Sequence, residues 1–289
     1  MEEKKIIRRV SVVTILGNLV LTFFKLFAGI FGYSGAMISD AIHSLSDIVT
    51  TFIAWFGTRL SLKEADKEHP YGHERLESIA SMILGVVLLI TAGGIGVSAA
   101  KIIISGNYRE IKVPSIIALV AAVISIIIKE AMYRYTMHYA KKINSAAFIA
   151  DAWHHRSDAL SSVGSLLGIG AAILGFPIFE PIASILICVC ILKVSYDILK
   201  DSVIKMIDVS CDDEFENEIK KHIVSNEAVI SLDILRTRMF GNKIYIEAEI
   251  SVDKNMKLEE AHSISQNIHD SIEKKFKNVK HIMIHVNPA

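Results

Sequence analysis

Two stretches decide how this chain is read. The first is Ser39-Asp40-Ala41-Ile42-His43-Ser44-Leu45-Ser46-Asp47 and the second is Ala150-Asp151-Ala152-Trp153-His154-His155-Arg156-Ser157-Asp158. Both follow x-D-A-x-H-x-x-S-D, with five identities in one register. His43 and Asp47 are four residues apart, as are His154 and Asp158, so on a helix each pair lies one turn apart on one face. Asp40 and Asp151 fall one turn earlier. They would act either as orienting acceptors for the histidines or as groups facing an entrance. If the two helices face each other, two imidazoles and two carboxylates converge. That N2O2 set suits tetrahedral Zn2+, and Mn2+ or Fe2+ could use the same donors.

The surroundings of both stretches are apolar. Of 289 residues, 52% are hydrophobic and 21% charged, and the mean hydropathy is +0.42. The hydrophobic residues come in blocks, which argues against a water-soluble enzyme, a disordered chain or a collagen-like repeat. A membrane helix needs about 20 mostly apolar residues. Six stretches qualify: Ser11–Phe31, Ala36–Leu60, Ser78–Ile104, Val113–Tyr133, Ala147–Leu174 and Ile178–Leu199. The second and fifth are the least hydropathic because they carry the His and Asp residues. An ionisable side chain near the bilayer centre costs at least about 2.5–3.5 kcal/mol on the insertion scale. Two matched pairs of them point to an ion pathway. Beyond His154, Ser157, Ser161, Gly164, Ser165 and Gly168 offer small residues for close helix packing.

Basic residues set the orientation. The N-terminus carries Lys4, Lys5, Arg8 and Arg9. The connection after the second helix has Arg59, Lys63, Lys67 and Arg75, and the one after the fourth has Arg134, Lys141 and Lys142. The opposite side has only Arg109 and Lys112. Both termini are therefore expected in the cytoplasm, with the chain multi-pass in a cell membrane and the bilayer as its solvent. The apolar run behind the first nine residues lacks a small-residue cleavage site, so it reads as a retained first helix. Lys plus Arg and Asp plus Glu both number 31, which gives no sign of a nucleic-acid partner. Three cysteines, Cys188, Cys190 and Cys211, make no disulfide framework. Cys188 and Cys190 read as packing residues.

From about residue 210 the pattern changes. An acidic helical segment runs through Val224. Ile230–Met239 and Ile244–Val252 alternate as strands around a Gly241-Asn242 turn, Leu258–Phe276 is an amphipathic helix and His281–Val286 is a closing strand. The expected fold is a membrane all-α six-helix domain over 1–209, then a small α+β domain of order α-β-β-α-β over 210–289.

Six helices, paired H-x-x-x-D motifs, the connection Asp66-Lys67-Glu68-His69-Pro70-Tyr71-Gly72-His73-Glu74-Arg75 and the α-β-β-α-β tail together resemble the cation diffusion facilitator family. The resemblance covers nearly the whole chain. It implies a divalent-metal/proton antiporter, not an enzyme, acting as a homodimer with a ferredoxin-like, metallochaperone-like cytoplasmic domain. By motif it implies a transport site at His43, Asp47, His154 and Asp158. The His-Asp pairs resemble those of zinc-selective members, so Zn2+, with Cd2+, is the expected substrate. Manganese or iron(II) export is the alternative. A second metal site is implied at Asp66, His69 and His73. Arg75 and Asp208 match a family charge pair that ties the two parts together. In the tail, His262 and His285 match family metal ligands. Asp233 and Glu249 stand where histidines are expected and Asn287 stands where an Asp is expected, so an altered regulatory metal site is implied there. His222, His269 and His281 read as ordinary surface histidines. Two rival classes are an intramembrane metalloenzyme, for which no H-E-x-x-H or equivalent is present, and a membrane-anchored metal sensor, which would need no repeat.

Overall fold

The apolar blocks form six long helices. In the computed structural model α1 spans Glu2–Phe31, α2 Gly35–Ser61, α3 Arg75–Ser105, α4 Ile116–Lys142, α5 Ala146–Ile173 and α6 Phe179–Ile204. The described residues are 2–31, 35–106, 116–173, 176 and 178–289. Arg109 and Lys112 lie outside them, as do the side chains of Asp40, His43, Ser161, Gly164, Ser165 and Gly168. Two helices outrun the apolar stretches furthest. α1 begins at Glu2 and takes in the basic run, and α4 continues past Tyr133 to Lys142, because neither added segment contains Gly or Pro. At 1.5 Å per residue, the 31 residues of α3 exceed a hydrocarbon core of about 30 Å. Gly106 ends α3 in the left-handed region (φ 71°), its N–H donating to the Ile103 carbonyl.

The first compact unit, residues 1–202, is polar inside and apolar outside. Val20, Phe23 and Phe27 of α1 are 60–67% exposed, whereas Asn18 and Lys25 on the same helix are 0% and 2% exposed. Leu186 of α6 and Ile127 of α4 also face outward. This inversion suits hydrocarbon solvent, with ionisable groups directed to the bundle interior. Among the described residues, Glu3–Ala28 and Arg75–Ser105 are long and apolar enough to cross a bilayer. α1 packs on α2 and α4, α4 on α5, and α2 on α3 and α5. Phe148, Leu84, Leu88 and Val10 fill the apolar part of the interior. Gly57 lets α2 meet α3. A Cβ there would lie 2.2 Å from the Ala80 Cβ, so no other residue fits without moving a helix. Ser195 Oγ donates to the Gly85 carbonyl at 2.8 Å and joins α6 to α3. Cys188 is buried there and Cys190 is exposed.

The second unit, residues 203–289, contains α7 (Asp213–Val224), β1 (Ser231–Phe240), β2 (Lys243–Val252), α8 (Leu258–Lys275) and β3 (Val279–Pro288). Asp212 caps α7 by accepting from the Phe215 N–H at 2.8 Å. β1 and β2 form an antiparallel hairpin whose turn uses Gly241 at φ 61°. α8 then returns the chain so that β3 lies parallel to β2, in sheet order β1-β2-β3. One face of the sheet is apolar. Ile246, Ile250 and Ile282 pack there against Ile219 and Ile223 of α7 and Ile268 and Ile272 of α8, all at most 3% exposed. Cys211 is free and half-buried beside this core, and burial pushes its thiol pKa up.

Candidate metal centre

Among the described residues, three groups of His, Asp and Glu side chains bring their donor atoms within 4.8 Å of one another. The first is Asp47 with His154 and Asp158, all buried. Asp47 comes from α2 and the other two from α5, one helical turn apart. Asp47 Oδ1 is 3.2 Å from His154 Nε2, and Asp158 Oδ2 is 4.0 Å from the same nitrogen. One residue of the first repeated stretch and two of the second therefore reach a common point. His43 shares α2 with Asp47, one turn before it, but its side chain lies outside the described residues.

A fourth group occupies the same point. Lys129 of α4 donates from Nζ to Asp47 Oδ2 at 2.5 Å and to Asp158 Oδ2 at 3.0 Å. Its side chain is 3% exposed. An isolated ammonium would be prohibitively costly at such a place, and two carboxylates compensate it. Sequence reasoning missed this residue. Its signal was present, since a single Lys sits inside an apolar stretch, but nothing in the repeat points to α4. Two carboxylates, one imidazole and one ammonium thus share the site.

Behind this point lies a second polar layer. Thr51 Oγ1 donates to Asp151 Oδ1 at 3.2 Å, and His155 Nε2 is 3.7 Å from Asp151 Oδ2, all three residues being 0% exposed. Asp151 Oδ1 thus accepts from Thr51, its Oδ2 lies near His155 beyond hydrogen-bond distance, and among the described residues no hydrogen bond links it to His154. On α1, Lys25 donates to Ser44 Oγ at 2.8 Å, which places another buried ammonium beside the middle of the α2 motif.

The second group is Asp66, His69 and His73, in the connection between α2 and α3. Asp66 is its hub. Its Oδ1 accepts from the His69 N–H at 2.9 Å and the Glu68 N–H at 3.1 Å, and its Oδ2 accepts from Lys63 Nζ at 2.6 Å. The Lys63 ammonium and the His69 amide hold the Asp66 carboxyl below the usual carboxylate range. His73 Nε2 lies 3.5 Å from Asp66 Oδ2, and the two imidazoles have centroids 4.5 Å apart. His73 Nδ1 is buried without a hydrogen bond. Gly72, at φ 98°, makes the turn between the histidines.

The tail residues Asp233, Glu249, His262 and His285 form no such group within one chain, among the described residues. Glu249 and His285 are register partners on β2 and β3. Asp233 sits in the bulge of β1 and accepts from Ser251 at 2.6 Å, Ser231 at 2.7 Å and Asn287 at 3.1 Å. These donors hold its carboxyl below the usual range, the Ser251 hydroxyl foremost. Asn287, which stands where the resemblance implies an Asp, is thus a donor to Asp233.

Comparison with known proteins agrees with this architecture. Residues 11–207 match the cation efflux transmembrane domain, and residues 211–289 match the cation efflux protein cytoplasmic domain. An uncharacterized transporter of Methanocaldococcus jannaschii is 35% identical over 276 residues, covering 96% of both chains. The manganese efflux system protein MneP of Bacillus subtilis is 32% identical over 294 residues, covering 99% of this chain and 98% of its own. The magnetosome protein MamB of Paramagnetospirillum magneticum is 30% identical over 272 residues, covering 94% and 91%. With both parts matched and relatives aligned over nearly their whole length, the chain belongs to the cation diffusion facilitator family, as a membrane transporter for the efflux of divalent metal cations and not an enzyme.

Proposed function

We propose that this chain exports Zn2+, with Cd2+ as a related substrate, from the cytoplasm in exchange for protons, by alternating access around His43, Asp47, His154 and Asp158. The observation that carries this reading is the convergence of Asp47, His154 and Asp158, three buried donors from the two repeated stretches, inside an apolar-surfaced bundle. Imidazole and carboxylate together suit Zn2+. In this cycle a metal ion from the cytoplasm displaces the Lys129 ammonium from the two carboxylates. Ligands must be deprotonated to bind, so loading releases protons. Helices then rock about the site and expose it outward. There protons compete for the imidazoles, the metal leaves, and Lys129 returns to the carboxylates. The empty carrier thus resets without two bare carboxylates in its interior.

The same reading takes residues 1–209 as the transport domain and 210–289 as a cytoplasmic regulatory and dimerisation domain, in a homodimer with both termini cytoplasmic. The distribution of basic residues supports that orientation. Asp66, His69 and His73 are a second metal site in this reading. Asp233, Glu249, His262 and His285 would take up metal only if a partner chain completes them. Manganese is the second reading of the substrate, favoured by the Bacillus subtilis relative named for manganese efflux.

The test is metal-dependent proton flux in proteoliposomes, comparing wild type with Asp47→Ala and Asp158→Ala across Zn2+, Cd2+, Mn2+ and Fe2+. Flux with Zn2+ and Cd2+ that both variants abolish is the expected result. Flux confined to Mn2+ or Fe2+ moves the substrate assignment, and flux retained by both variants removes the site assignment.

A further inference from the structure

The third group of donors lies in the second unit and belongs to none of the sites above. His269 and Glu273 are one turn apart on α8, and His281 is on β3, the edge strand beside it. The sequence gives His269 and His281 as ordinary surface histidines. The structure brings both onto one carboxylate oxygen. Glu273 Oε1 lies 3.1 Å from His269 Nε2 and 3.2 Å from His281 Nδ1. The imidazoles meet edge to face with centroids 5.2 Å apart.

The protons of His269 make this arrangement informative. Its Nδ1 is 2.8 Å from the carbonyl oxygen of Ile282, which can only accept, so Nδ1 carries the hydrogen. In the neutral ring Nε2 then presents a lone pair. That nitrogen lies 3.1 Å from a carboxylate oxygen, one acceptor beside another. The contact is favourable only with a cation between the two atoms, either a proton on Nε2 or a metal ion. A backbone carbonyl that fixes the tautomer and orients the ring is the usual second partner of a metal-bound histidine. Donors around a tetrahedral ion with bonds of about 2.0–2.1 Å sit about 3.3–3.4 Å apart, close to both measured separations. The side chains of His269, Glu273 and His281 are 24%, 32% and 46% exposed, so water can reach a fourth coordination position.

We propose that His269, Glu273 and His281 form a divalent-metal site of the Zn2+ class, with two imidazole nitrogens, one carboxylate oxygen and water. It clips the second half of α8 to the start of β3. It uses none of the proposed transport residues and stands or falls independently of them. It also differs from the Asp233, Glu249, His262 and His285 set, because every protein donor comes from one chain.

The test uses the full-length protein in lipid nanodiscs with Co2+ as the probe. Bound equivalents are counted by equilibrium dialysis, and visible d–d absorption reports coordination. Wild type is compared with the double variant His269→Gln/His281→Gln and with Glu273→Gln, which preserves shape and removes the charge. The expected result is one fewer bound Co2+ per chain in the double variant, with loss of part of the tetrahedral band, and about tenfold or greater weakening of that same equivalent in Glu273→Gln. Should the double variant fail to fold, as judged by size exclusion and helicity, Glu273→Gln alone decides. The same number of equivalents at the same affinity in wild type and the folded variants overturns the proposal. That outcome assigns the cluster to an imidazolium–carboxylate pair.

Discussion

Replacing Lys129 with Met tests the most unexpected feature of the proposed transport site. The substitution keeps the length of the side chain and deletes the charge. In the structure Nζ lies 2.5 Å and 3.0 Å from oxygens of Asp47 and Asp158. Removing one partner from a buried ionic group costs about 3–5 kcal/mol, because the remaining charges lose their compensation. That penalty falls on the metal-free state. In the proposed metal-loaded state the incoming cation would compensate the carboxylates, with the lysine displaced. The difference appears as tighter binding, and the lower end of the range, about 3 kcal/mol, corresponds to about a hundredfold lower Kd. Release on the far side slows in proportion, so turnover at saturating metal falls while affinity rises. Isothermal titration calorimetry on the nanodisc-embedded protein measures the first effect, and steady-state flux in proteoliposomes the second. Unchanged or weaker metal binding by a correctly folded Lys129→Met protein would refute the displacement argument. It would leave Lys129 as a fixed structural strut.

Three further outcomes are expected. Asp66→Asn removes the carboxylate that accepts from the Glu68 and His69 amides, and hydrogen exchange at those amides should accelerate about tenfold. Since the Asp66 carboxyl is held below the usual range, the wild-type protection should persist as pH falls through about 4, where a free Asp protonates, and disappear only below it. Gly72→Ala places a methyl 2.3 Å from Glu74 Oε2 at a φ of 98°, so it should cost about 1–2 kcal/mol and weaken any metal held by the loop, as read by Co2+ titration. Ile272→Ala, at a residue 0% exposed in the core of the second unit, should destabilise that unit by about 2–5 kcal/mol in urea unfolding, with flux assayed alongside.

The sequence shows most clearly what is local or repeated. Apolar blocks give the six helices, because one residue type in excess over about 20 positions needs no partner to be read. The order α-β-β-α-β follows from a change of period and one Gly-Asn turn. The repeat picks out Asp47, His154 and Asp158, because both stretches carry the same spacing. What stays hidden depends on which residues meet across the fold. Lys129 lies 82 positions from Asp47 and carries no repeat, so only the placing of α4 beside α5, with the ammonium reaching across to Asp47 of α2, reveals it. Asp151 sits one turn from His154 on the same helix, and yet its hydrogen bond comes from Thr51 of α2 instead. His269 and His281 look like surface residues because their spacing matches neither a helix turn nor a strand pair. Their meeting is made by α8 lying along β3, a contact between two element types that no single period encodes. The helix ends were misjudged for a related reason. Hydropathy marks the extent of the apolar solvent, whereas α1 and α4 continue as far as their backbones find nothing to stop them.

The missing side chain at Gly57 has a mechanical consequence. α2 and α3 meet there with no clearance: any roll or slide of one helix drives the Ala80 methyl into the backbone of the other. Held at that contact, the two helices are expected to move as a single lever. A displacement of Asp47 would then carry α3, and the connection bearing Asp66, His69 and His73 has both of its ends on that lever. Its three donors would keep their spacing while the bundle rearranges, and an ion held in the loop would ride with the moving part of the carrier.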